Sequence, residues 1–119
     1  MRIWVDGAGS HMAGQKARSC VVFEDGTEIV EELLPGTTNN QAEYAALLGA
    51  LRDERSRGAT IFTDSQLLVG HVTKGWRVNK EHLRAPVSEA KRLLAEQGGT
   101  LAWVPRDRNR AGKVLESRK

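Results

Sequence analysis

The sequence predicts an α/β domain with a five-stranded mixed sheet, three antiparallel strands followed by parallel ones, flanked by helices. Three strand-like segments fill the first 34 residues, and two of them meet at Asp25-Gly26, a strong hairpin signal. After about residue 40, helical stretches alternate with short apolar segments, a pattern typical of parallel strands joined by right-handed crossovers. A length of 119 residues suits a single domain over residues 1–119.

The amino-terminal strands are short apolar segments separated by turn-forming residues. Residues 2–6 (RIWVD) have the pattern of a buried strand, and residues 17–25 and 27–34 that of the two arms of the hairpin. The Gly- and Ser-containing residues 7–16 are predicted to form a loop. Together the three strands predict an antiparallel meander.

The rest of the chain alternates between helical and extended patterns. Leucines and a tyrosine recur at helical spacing in residues 40–54, which predicts the first helix. Residues 59–64 (ATIFTD) have the pattern of a short apolar strand that ends in a carboxylate. The later elements are, in order, a helix over 65–73, a helix over 80–97 with Pro86 near its first turns, a strand over 101–105 and a short basic helix in the tail.

The composition excludes several classes of protein. Apolar residues make up 39% of a chain of mixed charge, which is typical of a soluble globular domain. No apolar run approaches the roughly 18–20 residues that cross a bilayer, and no signal-peptide core opens the chain, so no membrane contact is expected. The single cysteine, Cys20, cannot form a disulfide framework, so we expect a reducing, cytoplasmic location.

Charge is spread unevenly along the chain. Residues 1–43 hold 3 basic and 7 acidic side chains, whereas residues 74–119 hold 12 basic and 5 acidic ones. A basic second half is compatible with a polyanionic partner such as nucleic acid, and equally with solvated helix faces. Charge alone does not choose between these two interpretations.

Three carboxylates stand where predicted elements begin or end. Asp6 ends the first strand, Asp64 ends the fourth, and Glu43 lies in the first turn of the helix between them. If the two strands are parallel neighbours, their acids emerge at the same sheet edge, with the glutamate close by. Clustered carboxylates repel one another unless a hard cation lies between them, and Mg²⁺ or Mn²⁺ suits such ligands. The three acids therefore predict a metal site for hydrolysis at phosphorus.

Each acid also has a purely structural interpretation. Asp6 and the glycine after it are compatible with a plain turn, and Asp64 with the serine after it is compatible with a helix N-cap. With Asn40 as N-cap, Glu43 occupies the reciprocal N3 position of a capping box. The order of the three acids, and the elements that carry them, favour a shared metal site over three separate structural roles.

Taken together, these motifs resemble those of type 1 ribonuclease H. They are DGAGS after the first strand, TTNNQAEYAALLGAL at the start of the crossover helix and TDSQLL after the fourth strand. WVPRDRN, near the carboxyl terminus, is similar to the corresponding loop of the family's archaeal-like and bacterial branch. The resemblance covers nearly the whole chain in the same order, and its two middle motifs are the specific ones. It implies a ribonuclease H-like fold.

The resemblance also implies an activity and a set of site residues. The activity is hydrolysis of the RNA strand of an RNA–DNA hybrid, with Mg²⁺ or Mn²⁺ as cofactor. Asp6, Glu43 and Asp64 match three of the family's four metal-binding acids. The positions that match contacts to the hybrid's backbone or minor groove are Thr38, Asn39, Asn40 and Gln66. Polar side chains in the minor groove can reach the 2′-hydroxyl that distinguishes RNA from DNA.

The carboxyl-terminal segment departs from the family pattern. The family's fourth acid follows an asparagine by four residues; that asparagine matches Asn109, and Lys113 stands where the acid would be. A lysine does not bind Mg²⁺, and its ammonium group repels the ion. From helix geometry, Asn109 is the first candidate to replace the acid through its amide oxygen, followed by Asp107 and Glu116. The alternative is a basic tail without any catalytic ligand.

The remaining candidates lie in two basic segments. Trp76 is expected to bind the hybrid by stacking, with phosphate contacts from the basic residues around it, or else to be a partly buried hinge residue. Arg106 is expected to face a phosphate, in a loop where some family members carry a histidine. The tryptophans and the cysteine expected in strand cores are Trp4, Trp103 and Cys20, and the histidines expected in packing or surface roles are His71 and His82.

These observations favour one function and leave two alternatives. We expect a single-domain, monomeric ribonuclease H that needs no obligate protein partner. The first alternative is a catalytically impaired module of the same fold that binds hybrids without cleaving them, which Lys113 favours. The second is a nuclease of the same fold acting on duplex RNA or a branched junction, which the Thr-Asn-Asn signature disfavours.

Overall fold

The computed structural model describes residues 1–10 and 16–118, so the predicted loop over 7–16 lies partly outside the described residues. Within them the strands are β1 (Arg2–Ala8), β2 (Arg18–Phe23), β3 (Glu28–Glu32), β4 (Thr60–Thr63) and β5 (Thr100–Trp103). The α-helices are α1 (Asn39–Leu51), α2 (Gln66–Thr73), α3 (Glu81–Gln97) and α4 (Arg110–Ser117). Short 3₁₀ helices at Glu54–Ser56 and Arg106–Arg108 precede β4 and α4.

The strands form one sheet in the order β3-β2-β1-β4-β5. β2 pairs antiparallel with β1 and β3, whereas β4 pairs parallel with β1 and β5. The predicted mixed sheet is therefore confirmed. Because β1 and β4 are parallel neighbours, Asp6 and Asp64 leave the sheet at the same edge.

The two faces of the sheet are covered unequally. α1, α2 and α3 cover one face, where the larger core includes Ile3, Leu47 and Ile61. The short α4 packs on the other face against β1 and β2, over a smaller cluster that includes Trp4 and Leu115. Among the helices of the described residues, none is long and apolar enough to cross a membrane.

α1 begins and ends earlier than its sequence pattern predicts. Thr38 is the N-cap: its hydroxyl accepts a hydrogen bond from Gln41 N, and Gln41 Oε1 accepts one from Thr38 N. The prediction that Asn40 caps the helix with Glu43 as its reciprocal partner is therefore wrong. Since the glutamine fills the capping-box role, the Glu43 carboxylate is available for other contacts. The helix ends at Leu51 instead of continuing through residue 54.

Candidate active site

The carboxylates of Asp6, Glu43 and Asp64 meet at the sheet edge where β1 and β4 end. One oxygen atom from each lies within 4.8 Å of the corresponding atoms of the other two. Asp6 is 4% exposed, and the other two acids are half-buried. The acids that the sequence places on three different elements are thus brought together.

Close packing of β1 against α1 carries Glu43 to this position. A Cβ atom at Gly7 would overlap the backbone of Ala42 and Glu43, so a glycine is needed for the strand and helix to touch. Gly9 likewise lies against the start of α1, and its N–H donates to Asn39 Oδ1 at 2.7 Å. The two glycines of the DGAGS motif therefore fix the distance between the strand that carries Asp6 and the helix that carries Glu43.

Two acids of this cluster, Asp6 and Glu43, have raised pKa values. Burial, and then the nearby Asp64 charge, raise the pKa of Asp6 to about 6. Burial also raises the pKa of Glu43 to about 7; a hydrogen bond with Ser65 opposes the rise, and the charges of Asp6 and Asp64 add to it. Raised pKa values from burial and like charge are typical of functional carboxylate sites.

Asn109 joins the carboxyl-terminal segment to the cluster. It is fully buried, and its Nδ2 atom donates to Val5 O at 2.9 Å and to Asp64 Oδ2 at 3.1 Å. Its Oδ1 atom accepts a hydrogen bond from Ala111 N at 3.1 Å, as the N-cap of α4. The prediction that the amide oxygen faces the cluster is therefore wrong. The nitrogen faces it, and an amide N–H group is a donor that does not bind a cation.

No other acid from the described carboxyl-terminal segment lies in the cluster. Asp107 and Glu116, the other candidate ligands, are exposed and lie outside it, although the Glu116 charge adds slightly to the raised pKa of Asp6. Lys113 is exposed as well. The residue that lies against Asp6 is Gly112, where an ideal Cβ atom would be 3.3 Å from Asp6 Oδ2.

Trp103, at the end of β5, and Arg106, just after it, both act on the acid cluster. The positive charge of Arg106 lowers the pKa values of Asp6 and Glu43, in opposition to burial, although its side chain is exposed. Trp103 is 46% exposed, so the prediction that it lies in the core is wrong. Its Nε1 atom donates to Asp64 O at 3.1 Å. Sequence reasoning missed this contact, and no local pattern reports it, because the two residues are 39 positions apart.

The residues expected to contact a nucleic acid lie at the starts of α1 and α2 and beyond the end of α2. Thr38 and Asn39 are exposed and Asn40 is half-buried at the start of α1; Gln66, also exposed, begins α2. The ring of Trp76 packs on Gly70 of α2 and is 46% exposed, with Lys74 Nζ 5.9 Å from its centroid.

The other residues placed by pattern are where the sequence predicts them. Trp4 and Cys20 are buried in the smaller core, and burial raises the pKa of the Cys20 thiol to about 11. His71 is buried and its Nδ1 atom lies 3.0 Å from the Tyr44 hydroxyl. His82 is exposed on α3.

The sequence of this chain is similar to those of known proteins. The sequence model of the family described as RNase H matches residues 1–105. The chain belongs to the RNase H family. Ribonuclease HI of Halobacterium salinarum is 32% identical in an alignment that covers 94% of this chain and 60% of that protein. The Mycobacterium tuberculosis bifunctional protein Rv2228c is 30% identical in an alignment that covers 90% of this chain and 32% of that protein.

Solved RNase H structures have the same fold. RNase H1 of Halobacterium salinarum has a TM-score of 0.73 at 30% identity, covering 96% of this chain and 92% of its own. The amino-terminal RNase H domain of Rv2228c has a TM-score of 0.75 at 27% identity, covering 98% and 93%. LC11-RNase H1 in complex with an RNA/DNA hybrid has a TM-score of 0.78 at 26% identity, covering 96% and 91%. The resemblance to type 1 ribonuclease H and the fold class are therefore confirmed.

The family match includes the three acids and not the carboxyl-terminal part of the site. The RNase H family match ends at residue 105, before the 3₁₀ helix and α4 that carry Arg106, Asn109 and Lys113. The chain also spans only about a third to three-fifths of the curated relatives it matches.

Proposed function

We propose that this chain is an endonuclease that hydrolyses the RNA strand of RNA–DNA hybrids with Mg²⁺ or Mn²⁺ held by Asp6, Glu43 and Asp64. The observation that carries the proposal is the convergence of one oxygen atom from each acid within 4.8 Å at the β1–β4 edge. Carboxylate oxygens are the ligands that these hard cations prefer, so the donor set fits them. The similar fold of LC11-RNase H1, a protein solved with an RNA/DNA hybrid, supports the substrate class.

In this proposal the chain's own residues position the reacting groups. A bound divalent ion supplies activation of water and stabilisation of charge at phosphorus. Asp64 is held by Asn109 on its carboxylate and by Trp103 on its carbonyl, which fixes the cluster's geometry. Arg106 offers positive charge to a phosphate oxygen. Water attacks phosphorus in line and the P–O3′ bond breaks, leaving a 5′-phosphate and a 3′-hydroxyl.

The same proposal gives the surrounding polar residues a role in binding. Thr38, Asn39, Asn40 and Gln66 offer hydroxyl and amide groups to the minor groove, where the RNA 2′-hydroxyls are displayed. The exposed ring of Trp76 packs on Gly70, in the second half of α2. There stacking and the Lys74 charge add affinity for the duplex.

A second candidate is a module that binds hybrids without cleaving them. The described residues hold no fourth carboxylate in the cluster, and Lys113 stands where the family pattern has an acid. We favour the nuclease because three acids converge on one point and hydrogen bonds from Asn109 and Trp103 hold one of them, Asp64, in place. We also propose that the chain acts as a cytoplasmic monomer, which its single buried cysteine and its own core support.

The test is cleavage of an end-labelled RNA–DNA hybrid in Mg²⁺ and in Mn²⁺, with duplex DNA, duplex RNA and a branched junction as rival substrates. Asp6→Asn removes one ligand, and Asp107→Asn is the matched control because that acid is exposed and outside the cluster. We expect metal-dependent cutting of the hybrid's RNA alone, abolished by the first variant and kept by the second. Hybrid binding without cutting in either metal would instead establish the binding module.

A further inference from the structure

Among the residues that the structure describes, the acid cluster offers three carboxylates for one divalent ion and no further carboxylate for a neighbouring one. We propose that the site holds a single ion. This inference rests on the proposed metal-dependent function and specifies how that function is carried out in this chain.

The spacing of the three acids matches the coordination sphere of one ion. Mg²⁺ binds oxygen at about 2.1 Å, so ligands on opposite sides of the ion are about 4.2 Å apart. The oxygen atoms of Asp6, Glu43 and Asp64 all lie within 4.8 Å of one another, which small side-chain movements bring into that range. The three acids together therefore fit the coordination sphere of one ion.

A second ion would need ligands on the side of Asp6 that faces α4. Paired catalytic ions lie about 3.5–4 Å apart, and each needs its own oxygen donors besides a shared carboxylate. On that side Gly112 has no side chain, and an ideal Cβ atom there would be 3.3 Å from Asp6 Oδ2. The Asn109 amide nitrogen donates to Asp64 Oδ2, and its oxygen is bound to Ala111 N. Among the described residues, α4 and its N-cap thus bring no side-chain carboxylate into the cluster.

The position that would complete a second site is 113. Lys113 N donates to Asn109 O at 3.1 Å, so residue 113 lies one helical turn above the residue that contacts Asp64. An acid at this position would add a carboxylate next to Gly112 and one turn from Asn109. Lys113→Asp is therefore the gain-of-ligand variant, and Lys113→Ala is its matched control because it removes the positive charge without adding a ligand.

The experiment counts bound Mn²⁺ in the full chain, alone and in complex with a hybrid whose RNA strand is 2′-O-methylated and resists cleavage. Calorimetry gives the number of ions per chain, and electron paramagnetic resonance detects the spin coupling of two adjacent ions. We expect one ion and no spin coupling for the wild type and Lys113→Ala, and a second, coupled ion in the complex of Lys113→Asp.

The outcomes separate this inference from the function on which it rests. Two coupled ions in the wild-type complex, or an unchanged count in Lys113→Asp, would overturn the single-ion site while leaving metal-dependent cleavage intact. The absence of any Mn²⁺ binding by a folded wild-type chain, with or without the hybrid analogue, would overturn the proposed function as well. Circular dichroism of each variant confirms that the fold is present before the ions are counted.

Discussion

Asn109 Nδ2 lies 3.1 Å from Asp64 Oδ2 and 2.9 Å from Val5 O, so one buried amide links the start of α4 to both strands that carry the acid cluster. The same side chain caps α4 through its oxygen. The amide oxygen caps the helix, and the amide nitrogen bonds to β1 and orients the Asp64 carboxylate. Asn109 is therefore a positioning residue for the cluster and not one of its ligands.

Removal of this side chain should destabilise the protein and misplace Asp64. Loss of an N-cap costs about 1 kcal/mol, and a buried carbonyl left without a partner, here Val5 O, costs about 1–3 kcal/mol. We expect Asn109→Ala to lower the free energy of unfolding by about 2–4 kcal/mol, measured by urea denaturation in EDTA. A wild-type midpoint and slope in that variant would contradict the role assigned to Asn109.

Asn109→Asp separates capping from orientation, because aspartate is as good an N-cap as asparagine. The variant loses the donor to Val5 O and places a fourth carboxylate against Asp64. We expect it to unfold more easily than the wild type above about pH 5, where the new acid ionises, and to approach the wild type at lower pH. Equal stability of the two proteins at pH 8 would count against the contact with Asp64.

The raised pKa of Asp6 predicts that the metal-free protein loses stability as the pH rises. The folded-state pKa is about 6 and the ordinary value is 3.8, so between these values the folded chain holds a proton that the unfolded chain has released. Stability from this group is therefore highest below about pH 4 and falls until about pH 6. Asp6→Asn should stabilise the metal-free protein at pH 8 by up to about 3 kcal/mol, and by little at pH 4. Thermal denaturation in EDTA at the two pH values checks this.

The raised pKa values of Glu43 and Asp6 also predict how metal affinity depends on pH. An incoming cation must displace protons from Glu43, whose pKa is about 7, and from Asp6, whose pKa is about 6. We expect the Mn²⁺ dissociation constant to rise by up to about tenfold per pH unit just below pH 7 and more steeply below pH 6. Calorimetry in buffers of different ionisation enthalpy would detect the released protons. An affinity that stays constant from pH 8 to pH 6 would contradict these pKa values.

The sheet and the three acids follow from local sequence patterns. An Asp-Gly turn between two apolar segments predicts the β2–β3 hairpin, and the later alternation of strands and helices predicts parallel pairing. Because parallel strands end at one edge, the positions of Asp6 and Asp64 in the sequence are enough to predict that they meet. The carboxyl-terminal ends of β1 and β4 therefore predict where the acid cluster forms.

The start of α1 could not be predicted because the sequence contains two overlapping capping patterns. Thr38 is followed three residues later by Gln41, and Asn40 is followed three residues later by Glu43. Both pairs satisfy the same local rule. The contact that favours the earlier start is long-range: Gly9 N donates to Asn39 Oδ1 across 30 positions.

The side-chain orientations of Trp103 and Asn109 could not be predicted from the sequence either. Each depends on a hydrogen bond to Asp64, across 39 and 45 positions respectively. No local pattern reports such a contact, and an apolar strand that ends in tryptophan has the same sequence signature whether that ring is buried or exposed.

The packing of Trp76 on Gly70 gives a matched pair of variants for the binding surface. A Cβ atom at residue 70 would overlap the indole ring, so Gly70→Ala displaces the ring without removing it. Because base–aromatic stacking contributes about 1–3 kcal/mol, we expect Trp76→Ala and Gly70→Ala each to weaken hybrid binding by roughly 5–150-fold. Trp76→Phe should keep most of the affinity. Fluorescence anisotropy with the uncleaved analogue measures binding, and wild-type affinity in Trp76→Ala would support the hinge interpretation.

Arg18 of β2 holds the carboxyl-terminal end of α4, donating to Arg118 O at 2.8 Å and to Leu115 O at 3.2 Å. An eight-residue helix is too short to be stable alone, so it depends on its caps and on packing. We expect Arg18→Ala to speed amide hydrogen exchange within α4 and to lower cleavage activity, because α4 and its cap lie against Asp6 and Asp64. Arg92→Ala is the control, since its exposed ion pair with Glu96 lies within α3. Unchanged exchange in α4 after Arg18→Ala would show that apolar packing alone holds the helix.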